Sequence, residues 1–497
     1  MDFDNTFAPT LSKDSLRILL AAAAQNDWII GQCDIKTAFL YGPIDHDLHI
    51  EQPEGFELKD KPADQYICKL NKALYGLKQA PRCWNNEFTQ YMEQLNFQQS
   101  KHDKCVFYNK AKTLFVGVYV DDILIFSKDR SMITNFKNQL SAKFEIADLG
   151  EASHILGMKV TRTPEGYTLD QETYTKNMLK TFGLQQAKPS TTPGEKQKLT
   201  KKRAEETGTD QELYQQKVGS LIYLATCTRP DIAVAVNAAA RHVADPSHVH
   251  MIAVDKIFRY LTKTQAHGLN FQKGKRPQLL VTYADSDWAG DHDDRKSTSG
   301  FVTSLGGNTI AWRSSKQSVV ALSSVEAELI SAAEAVSYSL WLSRLCLELG
   351  LTTDQAVEIK MDSQGAMALA SSGTPTRKTK HIEIKHYFIT DCLDKKQIYL
   401  KYVPSEDNNA DVMTKNLDKT MFQTQKNRLK VINCREGVLE SEAPEITFNQ
   451  SDSSKLQGDT DKGSKQPINK GEAVQQKAQQ KALQNEEKLQ LINPESE

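Results

Sequence analysis

Residues 114–126, LFVGVYVDDILIF, set two adjacent aspartates, Asp121 and Asp122, between apolar runs. The runs are rich in Val, Ile, Phe and Tyr, which suit strands. The segment therefore predicts a hairpin that lifts two carboxylates to its tip. Carboxylates beside apolar strands are costly unless something compensates them. A divalent cation would do so, because hard Mg²⁺ prefers carboxylate oxygen and often brings phosphate with it. Taken alone, the pair is more simply a turn that uses Asp for its turn chemistry. A third acid, Asp34, ends a strand predicted over 28–33. A strand-end carboxylate facing a hairpin carboxylate is what a two-metal site needs. Ions roughly 3.5–4 Å apart can then hold the attacking and leaving oxygens of a phosphoryl transfer.

A second set of acids follows in residues 279–417. LLVTYADSD reads as a strand ending in Asp285 and Asp287, and FVTSLGGNTIAW as a hairpin turning at Gly306 and Gly307. Ser323 and Glu326 form a capping box for a long helix with Glu328 in its first turns. AVEIKMDS is a strand ending at Asp362, and NNADVMTK starts a short helix with Asp411. Singly, such acids are caps. Together, Asp285, Glu328, Asp362 and Asp411 can converge on two Mg²⁺.

These acids need elements to position them. Residues 12–25 predict a helix capped by Ser12, with Leu16, Leu19, Leu20 and Ala23 as its apolar stripe. In KLNKALYGLKQAPRCWNNEF, Pro81 marks a first helical turn. Trp84, Phe88, Tyr91, Met92 and Leu95 form a core stripe, and Lys78 and Gln79 make a polar approach. Residues 131–144 and 171–182 predict helices around strands over 155–161 and 167–169. Residues 185–208 read as a solvated linker whose Lys196, Lys198, Lys201, Lys202 and Arg203 could reach phosphates. Residues 214–264 are helical, with Arg229, Pro230 and Asp231 structural.

Composition narrows the class. Hydrophobic residues are 39% and charged residues 25%, as in ordinary globular proteins. The net charge is −1, so nucleic-acid binding would rest on local basic patches or metal-bridged phosphates. The eight cysteines are scattered singly with no CxxC. That argues against structural zinc and disulfides and fits a reducing compartment. The apolar run 18–24 is too short to span a bilayer, no signal peptide is visible, and no membrane partner is expected.

The motifs DNTFAPT, CDIKTAFLYG, ALYGLKQAPRCW, VYVDDILIF and DLGEASHILGMKV stand in the order of the reverse transcriptase of copia-type (pseudovirus) LTR retrotransposons, which this chain resembles. GSLIYLATCTRPDIA, YADSDWAGDHDDRKSTSGF, ALSSVEAEL and TKHIEIKHYFI continue the resemblance into that family's RNase H, over residues 5–420 in all. The resemblance implies an α/β (α+β) chain. A right-hand polymerase palm and thumb would occupy 1–183, a polar linker 184–211, a helical connection 212–278 and an RNase H-like mixed sheet with flanking helices 279–430. A disordered tail would follow at 431–497.

The resemblance makes Asp34 and Asp121 metal ligands of the palm and Asp122 its third acid. Phe39 becomes the steric gate under the sugar, and Gln79 a neighbour of the incoming nucleotide. Asp285, Glu328, Asp362 and Asp411 become the nuclease ligands, with Asp287 nearby. His381 and His386 would lie near the hybrid or on a helix surface. The implied cofactor is Mg²⁺, two ions per site, with Mn²⁺ as a substitute. The implied partners are an RNA template, a DNA primer, RNA–DNA hybrid and dNTPs, with element-encoded gag and integrase products as associates. The implied location is intracellular, in a cytoplasmic virus-like particle or the nucleus.

The implied function is RNA- and DNA-templated DNA synthesis with cleavage of the RNA strand of hybrids. The family carries basic fingers upstream of DNTFAPT, and this chain begins almost at that motif. The expectation is therefore a copy truncated at its N-terminus, with weak polymerisation and a nuclease half that acts alone. The alternatives are a chain with only RNase H activity and a non-catalytic nucleic-acid-binding relic.

Overall fold

The computed structural model describes residues 6–58, 66–274, 279–353, 356–372 and 383–435. His381 and residues 436–497 lie outside them. Among the described residues no helix is long and apolar enough to cross a membrane.

The hairpin around Asp121 and Asp122 forms as the alternation of Val, Ile and Phe predicts. Strands Leu114–Tyr119 and Asp122–Ser127 pair antiparallel. They sit in a six-stranded sheet, with Ile29–Ile35 against the second of them and Ile146–Glu151 at the edge. Both faces of this sheet are covered. Cys33, Ile35, Ile123 and Ile125 face a cluster with Trp84, Phe88, Phe136 and Phe144. Ile30, Leu124 and Phe126 join the large cluster that contains the first helix. The edge strand 146–151 escapes a sequence reading because IADLGE carries almost no apolar pattern, and its last four residues are exposed. Helix Arg130–Ser141 buries Ile133, Phe136 and Leu140 against this same sheet.

A second sheet joins segments far apart in sequence. His154–Ile155, Met158–Thr163, Gly166–Asp170, His267–Gln272 and Val431–Asn433 pair in that order, all antiparallel. The strand expected over 155–161 is broken at Leu156 and Gly157, both with positive φ. Residues 431–433, expected in a disordered tail, are the last strand of this sheet. A strand of the expected connection thus pairs with the expected thumb on one side and the expected tail on the other.

The third sheet carries the second set of acids. Its order is Asn308–Lys316, Thr298–Leu305, Leu280–Asp287, Val357–Met361 and Ile398–Tyr402. The first two pairings are antiparallel and the last two parallel. Gly306 and Gly307 make the two-residue turn, with φ of 59° and 88°, a pair that primed hairpin turns demand. Helix Ser324–Glu348 covers the sheet. Ser323 Oγ accepts from Glu326 N at 3.2 Å. The return bond departs from the expected box, since Glu326 Oε2 takes Leu322 N at 2.7 Å.

Helix Lys13–Asn26 is capped by Ser12, whose Oγ accepts from Ser15 N at 3.0 Å. The expected single stripe is too narrow: residues 15–24 are all buried. Arg17 explains the extra face. Its Nε donates to Ile310 O at 2.6 Å and its Nη1 to the carbonyls of Thr226 and Cys227 at 2.9 Å. Its guanidinium lies 4.0 Å from the centroid of Trp312. One apolar cluster runs from Leu11 to Val431 through the three larger sheets. The sheet that carries the second set of acids therefore shares its core with the first part of the chain.

Helices Gln211–Cys227, Ala233–Ala240 and His248–Lys263 surround a fully buried ion pair. Arg229 donates to both oxygens of Asp231 at 2.9 and 2.8 Å and to Thr264 O at 2.7 Å, and Tyr260 Oη donates to Asp231 at 2.7 Å. Buried charges persist where their hydrogen bonds are satisfied, so the structural reading of Arg229 and Asp231 holds. The linker is irregular but pinned. His250 Nε2 lies 2.8 Å from Thr200 O, Lys201 N donates to Asp293 at 2.7 Å, and Lys198 pairs with Asp287.

Candidate active sites

The second set of acids converges at one end of the third sheet. Asp285 comes from strand Leu280–Asp287, Glu328 from the first turns of helix Ser324–Glu348, and Asp362 from the residue after strand Val357–Met361. One carboxylate oxygen of each lies within 4.8 Å of the other two. Asp285 and Glu328 are buried, at 2% and 8% exposure. Each is held. Glu328 Oε1 accepts from Ser286 N at 3.2 Å, Thr414 Oγ1 donates to Asp285 Oδ2, and Ser405 Oγ donates to Asp362 Oδ2 at 2.6 Å.

Asp411 opens the short helix Asp411–Thr414 as predicted, but it stands outside that triad. Lys415 lies between, with Nζ 3.1 Å from Asp411 and 3.9 Å from Asp285. Asp411 is placed by a buried relay. Asn408 Nδ2 donates to Ala284 O at 2.9 Å, and Gln425 Nε2 donates to Asn408 O at 3.1 Å. Gly300 allows the helix to close on the sheet, since a Cβ there would lie 2.6 Å from Met413 Cβ.

The acids fit a divalent cation. Among the described residues, Glu328 Oε2 and Asp411 Oδ1 are buried with no hydrogen-bond partner, an arrangement that buried carboxylates rarely tolerate. Burial, then the charges of Asp285 and Asp362, push the Glu328 carboxyl up to about 9. Burial, then Asp285, pushes Asp411 up to about 7. Asp285 is raised by burial as well, with Lys415 and Thr414 opposing.

A raised carboxyl binds its proton more tightly in the folded state. Its contribution to stability is therefore complete below the unfolded value and is lost as pH rises through the folded one. Metal-free protein should lose melting temperature as pH rises from about 4.5 to about 9, the interval over which Glu328 ionises. Glu328→Gln should flatten that loss, and Mg²⁺ should restore the wild type by binding the folded state. Calorimetric melts with EDTA and with Mg²⁺ check this. An identical pH slope in wild type and variant would count against the mutual repulsion.

Asp287 turns to Lys198 and does not join the triad. His386 is fully buried, with Nε2 2.8 Å from Leu369 O. It is neither on a helix surface nor open to a hybrid.

In the six-stranded sheet, Asp34 and Asp122 are direct partners across the strand pair, and Ile35 N donates to Asp121 O at 2.8 Å. Burial pushes Asp122 up to about 7, a hydrogen bond from Gln32 opposes it, and the charges of Asp34 and Asp121 add to the rise. The three acids are thus neighbours, but they do not form a triad as tight as the nuclease one. Between the strands Val120 has φ of +58°, which is costly for a β-branched residue. Trp84 Nε1 holds this turn by donating to Val120 O at 2.7 Å. Phe39 is half-buried in the turn Ala38–Tyr41, its ring 4.9 Å from that of Tyr75. Gln79 is 2% exposed at the N-cap of helix Ala80–Gln94.

Sequence reasoning missed Gln32, Ser405, Thr414 and Lys415. Gln32 donates to Asp122 at 2.8 Å and to His154 O at 2.8 Å. Its signal was there, since it precedes Asp34 by two residues and so shares its strand face. Nothing local marks Ser405 as a partner of Asp362.

The class of protein follows from the N-terminal part of the chain. Residues 1–196 match the family model described as reverse transcriptase (RNA-dependent DNA polymerase). A Pol polyprotein from a transposon of Nicotiana tabacum, TNT 1-94, is 39% identical over 434 residues, covering 85% of this chain and 32% of its own length. One from Arabidopsis thaliana, transposon RE1, is 38% identical over 425 residues, covering 85% and 29%. The chain belongs to the copia-type retrotransposon Pol polyproteins. It spans about a third of the length of these relatives. A foamy viral protease–reverse transcriptase in complex with double-stranded DNA is 15% identical, with a TM-score of 0.48, covering 80% of this chain and 60% of that one.

Proposed function

We propose that the chain pairs a reverse transcriptase with a ribonuclease H that cleaves the RNA strand of RNA–DNA hybrids. The observation that carries the nuclease reading is the triad of Asp285, Glu328 and Asp362 within 4.8 Å, with Glu328 Oε2 buried and unpartnered among the described residues. These residues, with Asp411, would hold Mg²⁺, and Mn²⁺ is chemically similar. Such ions activate water and stabilise the departing 3′-oxygen in phosphodiester cleavage. The protein's own part is to hold the acids still. Ser286 N and Thr414 fix Glu328 and Asp285, and Ser405 fixes Asp362. Lys415 balances charge between Asp285 and Asp411.

In the polymerase reading, Asp34, Asp121 and Asp122 hold the cations for nucleotide addition. Phe39 packs under the sugar and Gln79 borders the nucleotide. The partners are then an RNA template, a DNA primer and dNTPs, inside the cell. One observation favours a chain in which the nuclease dominates: the palm acids are less convergent, and Gln32 occupies Asp122.

The test is a panel of labelled substrates with the purified chain. The expected result is Mg²⁺-dependent cleavage of the RNA in a hybrid, halted by EDTA, with duplex DNA and single-stranded RNA left intact. A hybrid left uncut in Mg²⁺ and in Mn²⁺ by folded protein would reject the nuclease and favour the binding relic.

A further inference from the structure

Exposed apolar side chains flank two of the elements that carry the acids, the strand of Asp285 and the helix of Glu328. Trp288 follows the Asp285 strand directly and is 51% exposed. Val319, Val320 and Leu322 are 47%, 46% and 67% exposed and lie just before the helix that carries Glu328. The two segments touch, because Trp288 Nε1 donates to Ala321 O at 3.1 Å. That bond satisfies the one polar atom of the indole and fixes the ring. What remains for a ligand is carbon surface. Two residues before Trp288, the amide of Ser286 binds Glu328. The carbon surface is therefore fixed to the reactive centre. Exposed apolar side chains gathered in this way mark binding surfaces in globular proteins.

We propose that Trp288, with Val319, Val320 and Leu322, is a ledge for the sugar edges of a bound RNA–DNA hybrid. The proposal rests on the nuclease reading above. In a duplex the base faces are covered by their neighbours, so an aromatic ring cannot stack between them without unstacking the strand. The apolar surface that a hybrid does offer is the row of sugar C–H groups along its wide, shallow minor groove. A rigid indole flanked by aliphatic side chains matches that row. Lys198, paired with Asp287 one residue before Trp288, neutralises a carboxylate that would otherwise repel the phosphates bordering the sugars. The ledge thus sets affinity and register, and the carboxylates do the chemistry.

The test uses the full chain and a short labelled hybrid. Trp288→Ala should raise the KM for RNA cleavage about tenfold, the size of one lost aromatic contact. The kcat should stay within about twofold, since the contact is made equally in ground and transition states. Trp288→Phe should recover most of the affinity. Leu322→Ser, at a side chain too exposed to matter for folding, should raise KM about threefold. Hybrid should quench tryptophan emission of wild type more than that of Trp288→Phe. An unchanged KM in Trp288→Ala, or a fall in kcat alone, would overturn the ledge. If wild type cuts no hybrid, the nuclease reading fails by itself. The emission comparison then still decides the ledge, and equal quenching in wild type and Trp288→Phe rejects it.

Discussion

Expressed alone, residues 279–435 should fail to form a cooperatively folded, active nuclease, although all four acids lie within them. The reason is the first helix. Ala21, Ala22, Ala23 and Ala24 are at most 2% exposed, and Arg17 bonds Ile310 O and stacks on Trp312. Farther along, Tyr338 bonds Asp14, Trp341 Nε1 donates to His102 O at 3.0 Å, and Glu348 accepts from Ser100 at 2.6 Å. Removing residues 1–278 would bare Trp312, Tyr338 and Trp341 together and unpair strand Val431–Asn433. Each large apolar side chain returned to water costs about 1.5–3 kcal/mol. A whole domain is stable by only about 5–15 kcal/mol. The expected result is a non-cooperative melt and no hybrid cleavage. A sharp melt with cleavage equal to that of the full chain would show that the shared core is dispensable.

The same helix shows what a sequence can and cannot say. Its start was legible because Ser12 caps locally and the cap depends on three residues. Its burial on every face was not, because the partners of Arg17 are about 200 and 290 residues away. The hairpins at Asp121 and at Gly306 were legible for the same local reason, and so were the ends of the strands that carry Asp34, Asp285 and Asp362. Strand Ile146–Glu151 was not, since its polar residues earn their place by pairing with Ile29–Ile35 and not by burying a face. The break at Leu156 and Gly157 was hidden because a leucine with positive φ leaves no mark in an apolar run. Among the acids, chain order brought out the members of each site but not their roles. That Asp287 leaves for Lys198, and that Lys415 stands between Asp285 and Asp411, depends on segments 89 and 130 residues away. The Lys198 contact also altered the linker, which charge alone presented as solvated.

The central claim is that Asp285, Glu328 and Asp362 form a cation-dependent nuclease centre separate from the acids of the palm. Asp362→Asn tests it most directly. The amide keeps the volume and the Ser405 contact but removes a charge that Glu328 and Asp285, both pushed toward protonation by burial, cannot replace. Losing such a group from a centre that stabilises transition-state charge costs about 10²–10³-fold or more in rate. The measurement is single-turnover cleavage of a labelled hybrid in Mg²⁺ by full-length wild type, Asp362→Asn and Asp121→Asn, each checked for a cooperative melt. The account predicts near-complete loss in Asp362→Asn and wild-type cleavage in Asp121→Asn. Cleavage that survives Asp362→Asn, or that falls with Asp121→Asn instead, would contradict it.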